Sequence, residues 1–209
     1  MSLDLSRNQI VSCSEFNGHP TLKVLTLRKN KLADLKGLTD MPNLEELYAA
    51  ENPITTIADL SALPALKKLH LRKTEVKILQ GNVPDLPKLQ YLSFREGKFD
   101  DIKQMAALKT LPELKTLNFL ANEMAENTEY NFKEELIMLM PKLKRVNKEN
   151  IEDEEVTDAL NKLKERIEEQ ERLRLEEEEK RKEEEDRLRL EEEERIKNGG
   201  AENENEEKE

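Results

Sequence analysis

Apolar residues recur with a period of about 22 residues over the first 150 positions of the chain. In a well-formed copy, leucines stand at positions 22, 25, 27 and 32, and Asn30 lies between the last two. Copies begin at residues 22, 44, 66, 89, 114 and 143, which are 22, 22, 23, 25 and 29 residues apart, and a partial copy covers residues 3–10. Self-similarity at this period predicts a stack of one repeated supersecondary unit.

Alternation inside each copy predicts a short strand, with Leu25 and Leu27 facing the core and Thr26 facing outward. The asparagine after the strand suits a turn, because its side-chain amide can bond backbone groups that the bend leaves unpaired. An X-Pro pair such as Leu63-Pro64 precedes most copies and is expected to stop a return helix. No copy can bury its apolar face alone. The pattern therefore predicts an α/β leucine-rich-repeat solenoid with a parallel concave sheet.

Two departures from the repeat are visible in the sequence. Thr74 and Gly97 replace the turn asparagine, so any asparagine ladder is expected to be interrupted there. The first copy lacks its leading leucine, because Met1 lies inside the template. Either a partner covers the resulting open edge, or the chain is an incomplete version of a longer protein, and the second interpretation is favoured.

The spacing lengthens over residues 122–151, where Tyr130, Leu136, Ile137 and Met140 fall on one stripe of an amphipathic helix. This stretch predicts a C-terminal capping helix that closes the solenoid. Residues 1–150, the array with its cap, are therefore expected to form one domain.

Charge changes sharply near Asn150. Residues 1–150 hold 22 basic and 20 acidic side chains, whereas residues 151–209 hold 13 and 26. Glutamates four positions before arginine or lysine predict a long charged α-helix over 151–197, followed by a disordered acidic tail over 198–209. A single helix is favoured over a dimeric coiled coil, because the seam begun by Leu160, Leu163 and Ile167 continues with polar residues.

Signals for chemistry are weak throughout the chain. His19 and His70 have no companion ligands at metal spacing, glycines form no phosphate-binding loop, and no nucleophile motif occurs. No enzyme, cofactor or metal is therefore expected. The longest apolar run has five residues, at 136–140, and Cys13 cannot form an internal disulfide. A reducing, intracellular setting without a membrane span is expected.

The outward strand positions predict a partner-binding face on the concave side, because tyrosine and arginine are enriched at binding hot spots. The other interpretation is an ordinary solvated face of mixed charge. Nucleic acid is disfavoured because the chain carries a net charge of −11. The predicted binding residues are Thr26, Arg28, Glu46, Tyr48, Lys68, His70, Arg72, Tyr91, Arg95 and Asn118.

Parts of residues 20–160 resemble the leucine-rich repeat-containing protein 23 family of axonemal radial-spoke proteins. The resemblance is carried by residues 44–52, 70–72, 89–92, 111–117, 134–136, 140–143, 148–149 and 152–155, with Asn122 and Tyr130. It implies a non-catalytic scaffold of the ciliary or flagellar axoneme, in the cytoplasm, that binds other spoke proteins and supports motility. It implies no nucleic acid, membrane or small-molecule partner. The charged helix beyond Arg172 departs from the family.

Two other functions remain open from the sequence. One is a soluble regulatory leucine-rich-repeat protein that binds a protein phosphatase 1-like partner through the concave face. The other is a nuclear protein that binds basic histones through the acidic tail. The 13 basic residues mixed into residues 151–209 weaken the histone hypothesis.

Overall fold

A computed structural model describes residues 1–16, 18–126 and 130–203, with side chains described as far as residue 193. The chain divides into two compact units, Met1–Leu160 and Asn161–Glu209. The first unit extends beyond the composition change near Asn150, because Ile151 and Ala159 are both buried.

The described part of the first unit holds one sheet of eight strands that follow each other in chain order. Neighbouring strands are parallel from β1 to β7, and β8 closes the sheet antiparallel to β7. Each strand is displaced by one repeat from the last, which confirms the predicted solenoid. The strands are β1 (Ser2–Asp4), β2 (Val24–Thr26), β3 (Glu46–Tyr48), β4 (Lys68–His70), β5 (Tyr91–Ser93), β6 (Thr116–Asn118), β7 (Arg145–Val146) and β8 (Glu149–Asn150).

The core lies behind the sheet and is filled by the repeated leucines. Leu25, Leu47 and Leu69 sit side by side in register and are fully buried. The return segments contain helix at Ala58–Ala62 and Ile102–Thr110, and both are 3₁₀ helices. A 22-residue repeat leaves few residues for the return, so the tighter helix fits where a longer α-helix does not.

Buried asparagines fix the turn after each strand. The Asn52 amide nitrogen donates to the carbonyls of Leu27 and Ala49, each at 3.0 Å, and its Oδ1 accepts from the Leu32 N–H at 3.2 Å. One side chain therefore ties two neighbouring repeats together. The predicted interruption is confirmed at Thr74, whose hydroxyl reaches only the Leu71 carbonyl among the described residues.

Helices α1 (Glu123–Glu126) and α2 (Phe132–Leu139) form the predicted cap. The Asn131 side chain accepts a hydrogen bond from the Glu134 N–H and so begins α2. Phe132 lies 6.3 Å from Phe119, ring centre to ring centre, which joins the cap to the core of the array. Residues 127–129 of the predicted cap lie outside the described residues.

Helix α3 runs over Asp153–Asn203. The predicted end at residue 197 is wrong, because the helix continues through Asn198, Gly199 and Gly200. Glycine costs about 1 kcal/mol in helix propensity but keeps its N–H, so it does not interrupt the backbone bonds as proline does. Of the tail predicted to be disordered over 198–209, residues 198–203 are helical and 204–209 lie outside the described residues.

Exposed ion pairs line the second unit. Glu178 and Lys182 form one of the predicted four-residue pairs at 2.9 Å, and Arg172 contacts Glu169 at 2.7 Å with a three-residue spacing. Such pairs each contribute little because they are solvated. Among the described residues, no helix is both long and apolar enough to cross a bilayer.

Candidate partner-binding face

The outward face of the sheet carries the predicted binding residues in rows that cross the strands. Tyr48 lies beside Thr26 on one strand and His70 on the next, while Lys68 lies between Glu46 and Tyr91. The predicted arginines follow the strands directly.

Three aromatic side chains form a continuous stack across this face, which we call the aromatic strip. The rings of Tyr48 and His70 are 4.4 Å apart with planes 18° from parallel, and those of His70 and Tyr91 are 4.6 Å apart at 30°. Tyr91 is in register with Lys68, so its ring leans by one position to reach His70. All three rings are half-buried and keep part of their surface open to a partner.

A carboxylate anchors one end of the aromatic strip. The Tyr48 hydroxyl donates to Glu46 Oε2 at 2.6 Å, and the Lys68 ammonium lies 2.8 Å from Glu46 Oε1. The bond to Glu46, with burial, raises the pKa of Tyr48 to about 12. The hydrogen bonds from Lys68 and Tyr48 hold the pKa of Glu46 below its usual value. The tyrosine is therefore a neutral donor fixed in one orientation, which lowers the entropy cost of binding.

His70 is held neutral within the stack. Burial lowers its pKa below 6.5 and Lys68 acts in the same direction, against the opposing effect of Glu46. A neutral imidazole can both donate and accept a hydrogen bond toward a partner.

A titration of His70 followed by NMR is expected to give a pKa below 6.5. Because the folded state disfavours the proton, the contribution of His70 to stability is full above about pH 6.5 and declines as pH falls toward the folded-state pKa. In Tyr91→Ala the pKa of His70 is expected to rise toward 6.5, since water reaches the ring. A pKa above 6.5 in the unmodified protein would contradict this and show that Glu46 dominates.

Carboxylates hold the predicted arginines in place. Arg28 contacts Glu51 at 2.6 Å, and Arg72 contacts Glu96 at 2.6 Å. Arg95 lies 3.3 Å from the same Glu96 carboxylate. Although burial acts to raise it, the pKa of Glu96 is lowered by hydrogen bonds from Lys73 and Arg72. The arginines are thus partly neutralised and pre-oriented, which differs from the bare basic column that the sequence suggested.

These carboxylates occupy one recurring backbone position that sequence reasoning missed. Glu51 and Glu96 directly precede the turn asparagine position and adopt φ values of 56° and 54°. Lys29, Lys73 and Ala121 adopt the same left-handed conformation in their own repeats. The sequence gave no glycine to mark the position, but its fixed place before the turn residue identifies it in each copy.

Asn118 is the least accessible of the predicted binding residues. It is 8% exposed, and its Oδ1 accepts a hydrogen bond from the Leu120 N–H at 3.2 Å. It therefore supports the end of its own strand. Thr26, at the other end of the face, is half-buried next to Tyr48.

A third carboxylate joins three repeats at the edge of the sheet. Glu45 lies 3.1 Å from Lys23 and 2.7 Å from Lys67, and these bonds lower its pKa to about 2. In the part of the chain that the structure describes, no three His, Cys, Asp or Glu side chains are grouped as metal ligands would be. The chemistry of the face is that of a binding surface: aromatic rings flanked by paired charges.

The repeats have counterparts among known proteins. A family model described as leucine-rich repeats (two copies) matches residues 20–62. Leucine-rich repeat-containing protein 23 of Homo sapiens is 32% identical over 133 residues, which are 64% of this chain and 32% of that protein. The protein of the same name from Xenopus tropicalis is 32% identical over 100 residues, 48% of this chain and 28% of that protein. The chain spans about a third of the length of these curated relatives.

A solved structure shares the architecture. A leucine-rich-repeat protein of Leptospira interrogans is 26% identical with a TM-score of 0.52, and the match covers 69% of this chain and 36% of that one. The resemblance expected from the sequence is confirmed. The repeat array, the family match and these relatives identify the chain as a leucine-rich-repeat protein similar to leucine-rich repeat-containing protein 23.

Proposed function

We propose that this chain is a non-catalytic scaffold of the ciliary or flagellar axoneme, a radial-spoke component that binds other spoke proteins through the face that carries the aromatic strip. The observation that carries the proposal is the similarity to leucine-rich repeat-containing protein 23 over 133 residues. The axonemal assignment follows from that resemblance and applies to the repeat array.

The geometry of the sheet face supports a protein partner. Solenoid proteins present an extended concave surface to their partners, and here that surface holds three stacked rings in fixed positions. Tyrosine gives large contact area at low entropy cost, because only two side-chain torsions must be fixed. The ion pairs around Glu46, Glu51 and Glu96 form a charged rim, which favours specificity and association rate over raw affinity.

Fractionation of motile cells tests the proposal. The protein is expected to stay with axonemes after detergent removes the membrane, and to leave them only in high salt or chaotrope. Purified full-length chain is then expected to rebind to salt-stripped axonemes. Tyr48→Ala combined with Tyr91→Ala is expected to weaken rebinding about tenfold or more, since both changes remove central aromatic contacts.

A matched control separates this surface from general loss of apolar area. Val11→Ala with Ile78→Ala removes two exposed side chains outside the face and is expected to rebind like the unmodified chain. Complete release by detergent would contradict the axonemal proposal. Capture of a phosphatase catalytic subunit, lost in Arg72→Glu with Arg95→Glu, would replace it with the phosphatase hypothesis.

A further inference from the structure

An apolar pocket of about 190 Å³ lies where the ends of the 3₁₀ helix Ile102–Thr110 and helix α2 come together. It belongs to the first unit and shares no residue with the aromatic strip. Its apolar lining includes Leu111, Pro112, Leu114, Leu139, Met140 and Pro141.

The pocket exposes side chains that other repeats cover. Leu111, Leu114 and Met140 are 5–7% exposed, whereas Leu63 and Leu66, at the equivalent positions of a regular repeat, are fully buried. The repeats that begin at 89 and 114 are 25 and 29 residues long instead of 22. The pocket therefore coincides with the two longest repeats, where the regular packing is broken.

The size of the pocket limits its occupant. Small-molecule sites are typically about 300–1,000 Å³, so this one is too small for most cofactors and substrates. It suits one large aliphatic or aromatic side chain, the kind of anchor around which protein contacts are built.

The rim is basic. Lys109 and Lys142 line the pocket, and neither forms an ion pair with any residue in 1–16, 18–126 or 130–193. The nearby Glu113 carboxylate lies 3.7 Å from Lys115, which offsets its charge. An occupant that brings acidic groups to this rim would complement it.

From this combination we propose that the cap pocket is a second docking site, for an acidic segment of a partner protein that inserts one leucine, methionine or phenylalanine. The two lysines contact the flanking carboxylates, and the apolar side chain covers Leu111, Leu114 and Met140. The site is independent of the proposed axonemal function, and it allows the array to hold two partners at once.

Selection from a library of random dodecapeptides on the immobilised full-length chain tests this site. The enriched peptides are expected to share one large apolar residue next to two or more acidic residues. Their affinity, measured by fluorescence anisotropy, is expected to fall about tenfold or more in Lys109→Glu with Lys142→Glu, because attraction at the rim becomes repulsion. Replacing the apolar residue of the peptide by alanine is expected to weaken binding similarly.

A variant with the same net charge provides the control. Lys36→Glu with Lys77→Glu changes two exposed lysines outside the pocket and is expected to bind the peptides like the unmodified chain. Equal loss in both variants, or no enrichment of acidic apolar peptides, would overturn the proposal. So would binding of phosphatidylserine vesicles that the pocket variant loses while no peptide binds. Unchanged unfolding midpoints confirm that both variants are folded.

Discussion

Replacing Phe119 by alanine is expected to lower the free energy of unfolding of the repeat array by about 3–5 kcal/mol. The Phe119 ring is fully buried and lies 5.6 Å from both Phe94 and Phe99, and 6.3 Å from Phe132 of the cap. Its removal leaves a cavity between the last regular repeats and the cap. Since whole domains are stable by only about 5–15 kcal/mol, this single change is expected to bring the array close to unfolding.

Tyrosine fluorescence during urea unfolding measures this effect selectively. The chain has no tryptophan, and its three tyrosines all lie within residues 1–150, so the signal does not report on the charged helix. Phe16→Ala serves as the control, because Phe16 is half-buried and forms none of these ring contacts. A loss in Phe119→Ala no larger than in Phe16→Ala would contradict the packing described here.

Asn52→Ala is expected to lower the free energy of unfolding by about 2–4 kcal/mol, because buried backbone groups lose their partners. The carbonyls of Leu27 and Ala49 and the N–H of Leu32 are all bonded by this one side chain, which is 3% exposed. The loss falls on two neighbouring repeats at once, so the change is expected to act on the whole array.

Two variants show whether the inter-repeat bond carries this effect. Asn8→Ala removes an exposed asparagine at the equivalent position, which bonds only Leu5 and Ser6, and is expected to cost about 1 kcal/mol or less. Asn52→Thr imitates Thr74 and is expected to recover part of the loss through its hydroxyl. Equal effects of Asn8→Ala and Asn52→Ala would contradict the inter-repeat role.

The repeat architecture could be predicted because its causes lie within single repeats. The leucine spacing alone places Leu25, Leu47 and Leu69 on one face, and the same arithmetic places Tyr48 and His70 side by side. The contact of Tyr91 with His70 could be anticipated only as proximity, because Tyr91 is in register with Lys68 and must lean to reach the ring.

Features that depend on three-dimensional contact could not be predicted. Glu51 and Glu96 neutralise the arginines from a left-handed turn position that no glycine marks. The cap pocket depends on how two lengthened repeats pack, and their lengths alone do not specify this. Helix α3 passes the predicted stop at Gly199 and Gly200, because glycine weakens a helix without removing a hydrogen bond.

A density map of intact axonemes is the most direct test of the central claim, that the face carrying Tyr48, His70 and Tyr91 holds a structural partner. The account predicts that the repeat array fits density within a radial spoke, with the aromatic strip covered by a neighbouring protein. An array found elsewhere in the cell, or one placed in the spoke with this face open to solvent, would contradict it.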